Sequence, residues 1–201
     1  MSISPARINL RIYQGSTFRE TFRWEAQTKG YIPISSISKT APCVITTNGT
    51  HDIPNGWRFR VTDVLGMTQI NQASEDDFYL ASNVTSNTIA INNINSINFS
   101  NYVSGGTISY NLPIPLNNFT AVFQIRENIS SPTVIKELTS SAGGGIIIDN
   151  VNKVISVTIS AADTTNFTFA TAIYGLELTG LDGEIIPLIG GNISLIKEVV
   201  R

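Results

Sequence analysis

Residues 172–196 constrain the fold more than any other stretch of this chain. They read Ala172-Ile173-Tyr174-Gly175-Leu176-Glu177-Leu178-Thr179-Gly180-Leu181, then Asp182-Gly183, then a second apolar run that ends at Ile196. Tyr174, Leu176 and Leu178 recur at every second position, the period of a strand with one apolar face. Asp182-Gly183 between two such runs predicts a type I′ hairpin turn, in which both central residues take positive φ. The return run carries Ile185 and Ile186, and Gly190-Gly191 interrupts it where a bulge or bend would sit. Alternation resumes from Asn192 to Ile196. The hairpin is expected to close a β-sandwich, so other strands must cover its apolar face.

Taken from the start, the chain supplies such strands. Residues 1–6 are expected to form a loose arm. Residues 7–13 alternate around Ile8, Leu10 and Ile12. Residues 17–24 place Phe18, Phe22 and Trp24 on one face, with Glu20 as the exception on that face. Thr28-Lys29-Gly30 predicts a turn, and Tyr31-Ile32-Pro33-Ile34 enters a further strand before Ser35, Ser36 and Ser38 dissolve the pattern. From about Thr40 the texture changes to short strands at close spacing. These are expected at 44–46, 57–61 (with Trp57, Phe59 and Val61 inside), 78–81, 88–91 and 107–110, which suggests a small barrel or curled sheet.

Pro113 and Pro115 then predict an extended linker. Residues 119–126 put Phe119, Ala121, Phe123 and Ile125 on one face. Strands follow at 135–138, 146–148 and 154–159. Ser160-Ala161-Ala162-Asp163 predicts a capping box that starts one helical turn. The first and last thirds thus share one texture. The expected fold is all-β: an Ig-like β-sandwich built from residues 1–39 and 112–201, with residues 40–111 inserted as a small β-barrel-like domain. On this plan Tyr174, Leu176 and Leu178 share a core with Phe18, Phe22 and Phe123, and not with Trp57 or Phe59.

Composition narrows the function classes. Charged residues make up 14% of the chain against roughly 25% in typical soluble proteins, and the net charge is −2. A nucleic-acid partner bound through phosphates needs a basic face, so none is expected. The neutral surface rich in Asn, Ser and Thr suits β proteins that assemble side by side, and coding in a low-GC genome yields the same composition. The single Cys43 allows no intrachain disulfide and reads as a small buried hydrophobe. No apolar run reaches 18 residues, and no secretory h-region is visible, so synthesis in a cytoplasm and no membrane partner are expected.

Two resemblances bear on function. Tyr13-Gln14-Gly15-Ser16-Thr17-Phe18, Phe22-Arg23-Trp24, Pro33-Ile34, Phe119 through Arg126, Ser160 through Thr165, Tyr174 through Leu178, Asp182-Gly183 and Leu188 through Ile193 occur in an order and spacing that resembles the N-terminal module of baseplate upper proteins and tail-fibre adaptors of tailed bacteriophages. Between them, Ile45-Thr46-Thr47, His51, Asn55-Gly56, Phe59 through Met67, Ile70-Asn71, Phe78-Tyr79 and Tyr102 through Gly106 resemble a phage module similar to the first catalytic-cysteine half-domain of ubiquitin-activating enzymes. His51-Asp52-Ile53 departs from that module's His-Gly-Leu pattern. The resemblance implies a virion protein, made in the host cytoplasm and present in several copies or as a homo-oligomer. It would contact other phage structural proteins of tail, baseplate, neck or fibre as an adaptor. A capsid decoration, head-fibre or neck protein and a carbohydrate-binding module for host attachment are the alternatives.

No catalytic, cofactor or metal residue is expected, and a non-enzymatic role follows. His51 is the sole histidine, and with Cys43 it cannot fill a tetrahedral zinc site. Glu75-Asp76-Asp77 could hold a hard cation but reads as a solvated loop. Glu25, Glu127, Glu137 and Glu177 are too scattered for a carboxylate pair, and Gly143-Gly144-Gly145 lacks the Lys-Ser/Thr of a phosphate loop. Trp24 and Trp57 read as core, although an exposed Trp57 would serve carbohydrate or protein contact. Residues 1–6 and 198–201 are expected to order on assembly.

Overall fold

Among the described residues, alternating sequence becomes fifteen strands and very little helix. The computed structural model describes residues 4–197. In chain order the strands are β1 (Ala6–Arg7), β2 (Leu10–Tyr13), β3 (Phe18–Phe22), β4 (Glu25–Ile37), β5 (Cys43–Thr47), β6 (Arg58–Leu65), β7 (Tyr79–Leu80) and β8 (Thr88–Ile91). They continue with β9 (Ser104–Pro113), β10 (Thr120–Arg126), β11 (Val134–Thr139), β12 (Ile146–Asp149), β13 (Val154–Ile159), β14 (Thr171–Thr179) and β15 (Ile185–Ile196). Among the described residues one α-helix, α1 (Ala161–Thr165), lies between β13 and β14, and a single 3-10 turn (Thr68–Ile70) follows β6. The fold is all-β with a barrel-like insert. Among the described residues no helix is long and apolar enough to cross a membrane.

The chain divides into two compact units, one formed up to Trp24 and again from Pro115, the other formed by Glu25–Ile114. Both divisions differ from the expected 39/40 and 111/112. Residues 28–30, expected as a turn, lie inside the 13-residue β4, where Lys29 pairs with Asn111 and Gly30 with Tyr110 of β9. Glycine is needed there because a Cβ on Gly30 would sit 2.8 Å from the Tyr110 ring. A register shift between Ile34 and Ser36 re-phases β4, so Ile32, Ile34 and Ile37 all face inward although their spacing breaks period two. Pro113, expected in the linker, is the last residue of β9 and pairs with Glu25.

The first unit is a sandwich. Its larger sheet runs β1-β15-β14-β10-β11, with β2 also on β15, and its smaller sheet runs β12-β13-β3. Phe18, Phe22, Phe123, Tyr174, Leu176 and Leu178 share one buried cluster, while Trp57 and Phe59 lie in another. Phe123 and Tyr174 stack at 5.2 Å between centroids. α1 starts as a capping box: the Asp163 amide donates to Ser160 Oγ at 3.1 Å. Residues 1–3 and 198–201, half of the expected arm and the expected C-terminal ordering segment, lie outside the described residues.

Three details of the hairpin and its neighbours differ from expectation. The turn is wider than type I′: Gly183 N–H donates to the Gly180 carbonyl at 3.0 Å and Gly180 N–H to Glu184 at 2.9 Å. Only Gly183 takes positive φ, at 82°, while the Asp182 carboxylate accepts from the Glu184 amide. That is the pattern of a three-residue loop with a glycine bulge. The register shift in the strand pair falls at Leu176/Glu177, not at Gly190-Gly191. Instead the glycines admit another chain segment. A Cβ on Gly191 would collide with the Ile8 carbonyl oxygen. The expected strand 7–13 breaks at this point into β1 and β2, both parallel to β15. Ala6, the last residue of the expected loose arm, is therefore sheet together with Arg7. The Tyr174 hydroxyl donates to that same Ile8 carbonyl at 2.8 Å. Burial, with Glu20 nearby, pushes its pKa up to about 12.

The second unit is one curled sheet in the order β7-β6-β9-β4-β5-β8. It closes on itself almost completely, because Ser82, just past β7, bridges Ala90 of β8 with bonds of 2.9 and 2.8 Å. Trp57, Phe59, Val61, Ile89, Ile91 and Ile108 fill its interior.

Candidate docking surface

The residues weighed for chemistry are occupied structurally. Cys43 is buried, and burial raises its thiol pKa, so it is a poor nucleophile. His51 is half-buried, and neither ring nitrogen has a hydrogen-bond partner within the described residues. Desolvation lowers its pKa against the opposing pull of Asp52 and the looser approach of the Thr88 backbone. Asp52 does not orient the imidazole; its carboxylate accepts from the Tyr110 hydroxyl at 2.6 Å. Trp57 is 0% exposed, and its indole N–H donates to the Asn111 carbonyl at 2.8 Å. It has no free ring face for a sugar or a partner. The core role expected for it stands, and the exposed role does not. Trp24 is partly buried against the sandwich core and meets Phe119 edge-on at 5.9 Å.

The acidic run Glu75-Asp76-Asp77 folds on itself. Asp77 accepts from the Ser74 amide at 3.2 Å, and Ser74 Oγ accepts from Asp76 N–H. Among the described residues no three His, Cys, Asp or Glu side chains converge as a metal site. Beside this run, Glu25 takes both Arg58 nitrogens at 3.2 and 2.9 Å and the Asn111 amide at 3.1 Å. Arg58 also lies 5.3 Å from the centroid of the Phe78 ring. These charges satisfy one another across a surface cleft of about 210 Å³. Gly143-Gly144-Gly145 forms a turn, with Gly144 N–H donating to Ser141 at 2.8 Å.

A larger uncommitted feature lies on the outer face of the sandwich's big sheet. Strand alternation turns Val122, Gln124 and Arg126 of β10 outward, and opposite them Glu177, Gly175 and Ile173 of β14. Gly175 in turn pairs with Gly190 of β15. Two facing glycines leave a floor without side chains, and nothing lies within 4 Å of where a Gly175 Cβ would be. The result is a trough of about 550 Å³. A second hollow of about 660 Å³, lined by Asn9, Arg11, Asn192 and Ser194, adjoins it at Ile173.

The trough's rim is held firmly. Arg126 donates to Gln124 Oε1 at 3.2 and 2.9 Å and to the carbonyls of Ser131 and Pro132 at 2.9 and 3.0 Å. Gln124 in turn donates to Glu137 at 2.5 Å. The loop after β10 is thereby pinned, and it presents Ile129 at 90% exposure. Ile185, 61% exposed, stands on the trough's lining as well. Apolar knobs around an empty floor suit a protruding side chain of a protein partner. The sequence held a signal for this: Ile173, Gly175 and Ile185 occupy outward positions where polar residues are the norm. Nothing in the pattern of single residues distinguished a trough from a flat face.

No protein-family model matches this sequence, and no curated protein matches it. The phage resemblance therefore rests on the ordered residues that carry it.

Proposed function

We propose that this chain is a structural virion protein of a tailed phage, acting as a tail, baseplate or tail-fibre adaptor through protein contacts. The observation that carries the reading is the trough on the large sheet. It is an apolar-rimmed, glycine-floored hollow on a rigid sheet, and it presents no reactive group among the described residues. Such a surface binds by shape and burial. Two further features support it. Many of the residues that carry the adaptor resemblance, Phe18, Phe22, Phe123 and Tyr174 among them, are the sandwich's own core. The amide-rich face around Asn9, Asn192 and Ser194, with Arg11 and Glu127 beside them, offers hydrogen-bonding groups to a close-packed neighbour.

The test is reconstitution with purified tail, baseplate and fibre components of the parent phage, read by co-sedimentation. The full chain should join one of them. Gly175→Arg should fill the trough and weaken that binding at least about tenfold, with thermal unfolding unchanged because the site is open. Association with capsids and not with tail parts would overturn the adaptor role and make this a head protein.

A further inference from the structure

A backbone amide nitrogen can attack the side chain of the residue before it. Where asparagine precedes glycine, the missing Cβ opens that approach, and the fold sets whether the nitrogen is free to make it. The chain has two Asn-Gly pairs, Asn48-Gly49 and Asn55-Gly56, and one Asp-Gly pair, Asp182-Gly183.

The structure treats the three differently. Gly56 N–H donates to the Ala81 carbonyl at 2.7 Å, and Gly56 is half-buried. Gly183 N–H donates to the Gly180 carbonyl at 3.0 Å, while the Asp182 carboxylate accepts from the Glu184 amide. Asn48 and Gly49 are both exposed. Among the described residues no hydrogen bond engages Gly49 N–H or the Asn48 side chain. Nothing lies within 4 Å of where a Gly49 Cβ would be, so the space around the nitrogen is open. The residues just before it are held in place. Asn48 N–H donates to the Pro33 carbonyl at 2.8 Å. Thr47 is buried; its N–H donates to the Asn87 carbonyl at 2.9 Å and its hydroxyl to the Gly49 carbonyl at 2.7 Å.

We propose that Asn48 is a site of spontaneous backbone modification, where the Gly49 nitrogen closes a succinimide and water opens it to aspartate and isoaspartate. The Gly49 nitrogen gives up its proton and bonds to Asn48 Cγ. The bond from Cγ to Nδ2 breaks, and Nδ2 leaves as ammonia. Water then adds to one of the two ring carbonyls. Opening at the side-chain carbonyl leaves aspartate. Opening at the main-chain carbonyl leaves isoaspartate, whose backbone runs through the side-chain carbons and is one atom longer. Water is the sole co-reactant, and nothing is oxidised or reduced. Either product adds one negative charge to a chain of net charge −2. The longer link moves the Gly49 carbonyl away from the Thr47 hydroxyl that it now accepts from. That loosens the end of β5, which lies between β4 and β8 in the barrel-like sheet. The inference does not rest on the adaptor reading.

Peptide mapping by mass spectrometry, on the full chain held in warm, mildly alkaline buffer, tests the proposal. In the folded chain Asn48 should convert at least about fivefold faster than Asn55, the ratio that one retained hydrogen bond imposes. Isoaspartate should be part of the product. In denaturant the two Asn-Gly pairs should convert at similar rates, because the fold no longer separates them. Asn48→Gln should abolish the reaction at this position, since its longer side chain closes the ring far more slowly. Hydrogen exchange at the Thr47 amide should quicken in the isoaspartate form. Asn48→Asp carries the same charge without the longer link and should leave that exchange unchanged. Folded chain in which Asn55 converts as fast as Asn48 would overturn the proposal. So would an Asn48 that stays intact in the folded chain and converts only in denaturant. Unchanged exchange at Thr47 in the isoaspartate form would overturn the loosening of β5.

Discussion

At the scale of single residues, local chemistry decides which side chains are available. Trp57 and Phe59 alternate inward on a short strand, and both are buried as their spacing predicts. His51 is a residue whose charge state couples to the ordinary pH range. Its folded-state pKa lies below the usual value of about 6.5 because burial disfavours the imidazolium. The unfolded chain therefore takes up a proton more readily than the folded one. Stability is full above about pH 6.5 and declines as pH falls toward the folded-state value. Thermal unfolding of the wild type should shift to lower temperature between about pH 6.5 and about pH 5, above the range where most carboxylates titrate. His51→Gln should flatten that slope, and an unchanged slope would remove His51 from the account. The presence of His51 in a loop was legible from the sequence. Its lack of a hydrogen-bond partner was not, because Asp52 beside it looks like an orienting carboxylate until Tyr110 is seen to claim it.

At the scale of elements, alternation located most strands, and capping chemistry located the helix. β8 and β13 coincide with the apolar runs 88–91 and 154–159. β4 was read as a turn and a short segment because its register shift at Ile34/Ser36 breaks period two. Local pattern carries no record of a partner strand 74 or more residues away, and it is pairing with β9 that holds residues 29–33 extended. The parallel placement of β1 and β2 on β15 was illegible for the same reason, although Gly190-Gly191 marked the place. Gly191→Ala tests that contact. Its Cβ must displace the Ile8 carbonyl, so the sandwich should lose about 1–3 kcal/mol, the usual cost of overpacking. Hydrogen exchange should quicken at the Ile8 amide, which donates to Gly190 at 3.1 Å. Amides of β6 and β9 in the barrel-like unit should keep their protection. Unchanged exchange at Ile8 would mean that the arm does not need the glycine.

At the scale of the whole molecule, two cores account for the sequence, and each gathers its own aromatic residues. The interruption of one β texture by another was visible in the chain, but the chain passes between the units at Trp24/Glu25 and Ile114/Pro115 and not at the texture change near Thr40. The first two turns of pattern in the insert look like the sandwich because β4 alternates in the same way. What was not legible is where the molecule offers itself to others. The trough needs β10, β14 and β15 side by side, an arrangement set by pairings between distant strands. The central claim is that this surface serves assembly at a phage tail. Electron microscopy of virions carrying a tagged copy of the chain tests it most directly. The account predicts label at the tail, baseplate or fibre junction in a fixed number of copies. Label over the capsid, or none on the virion, would contradict it.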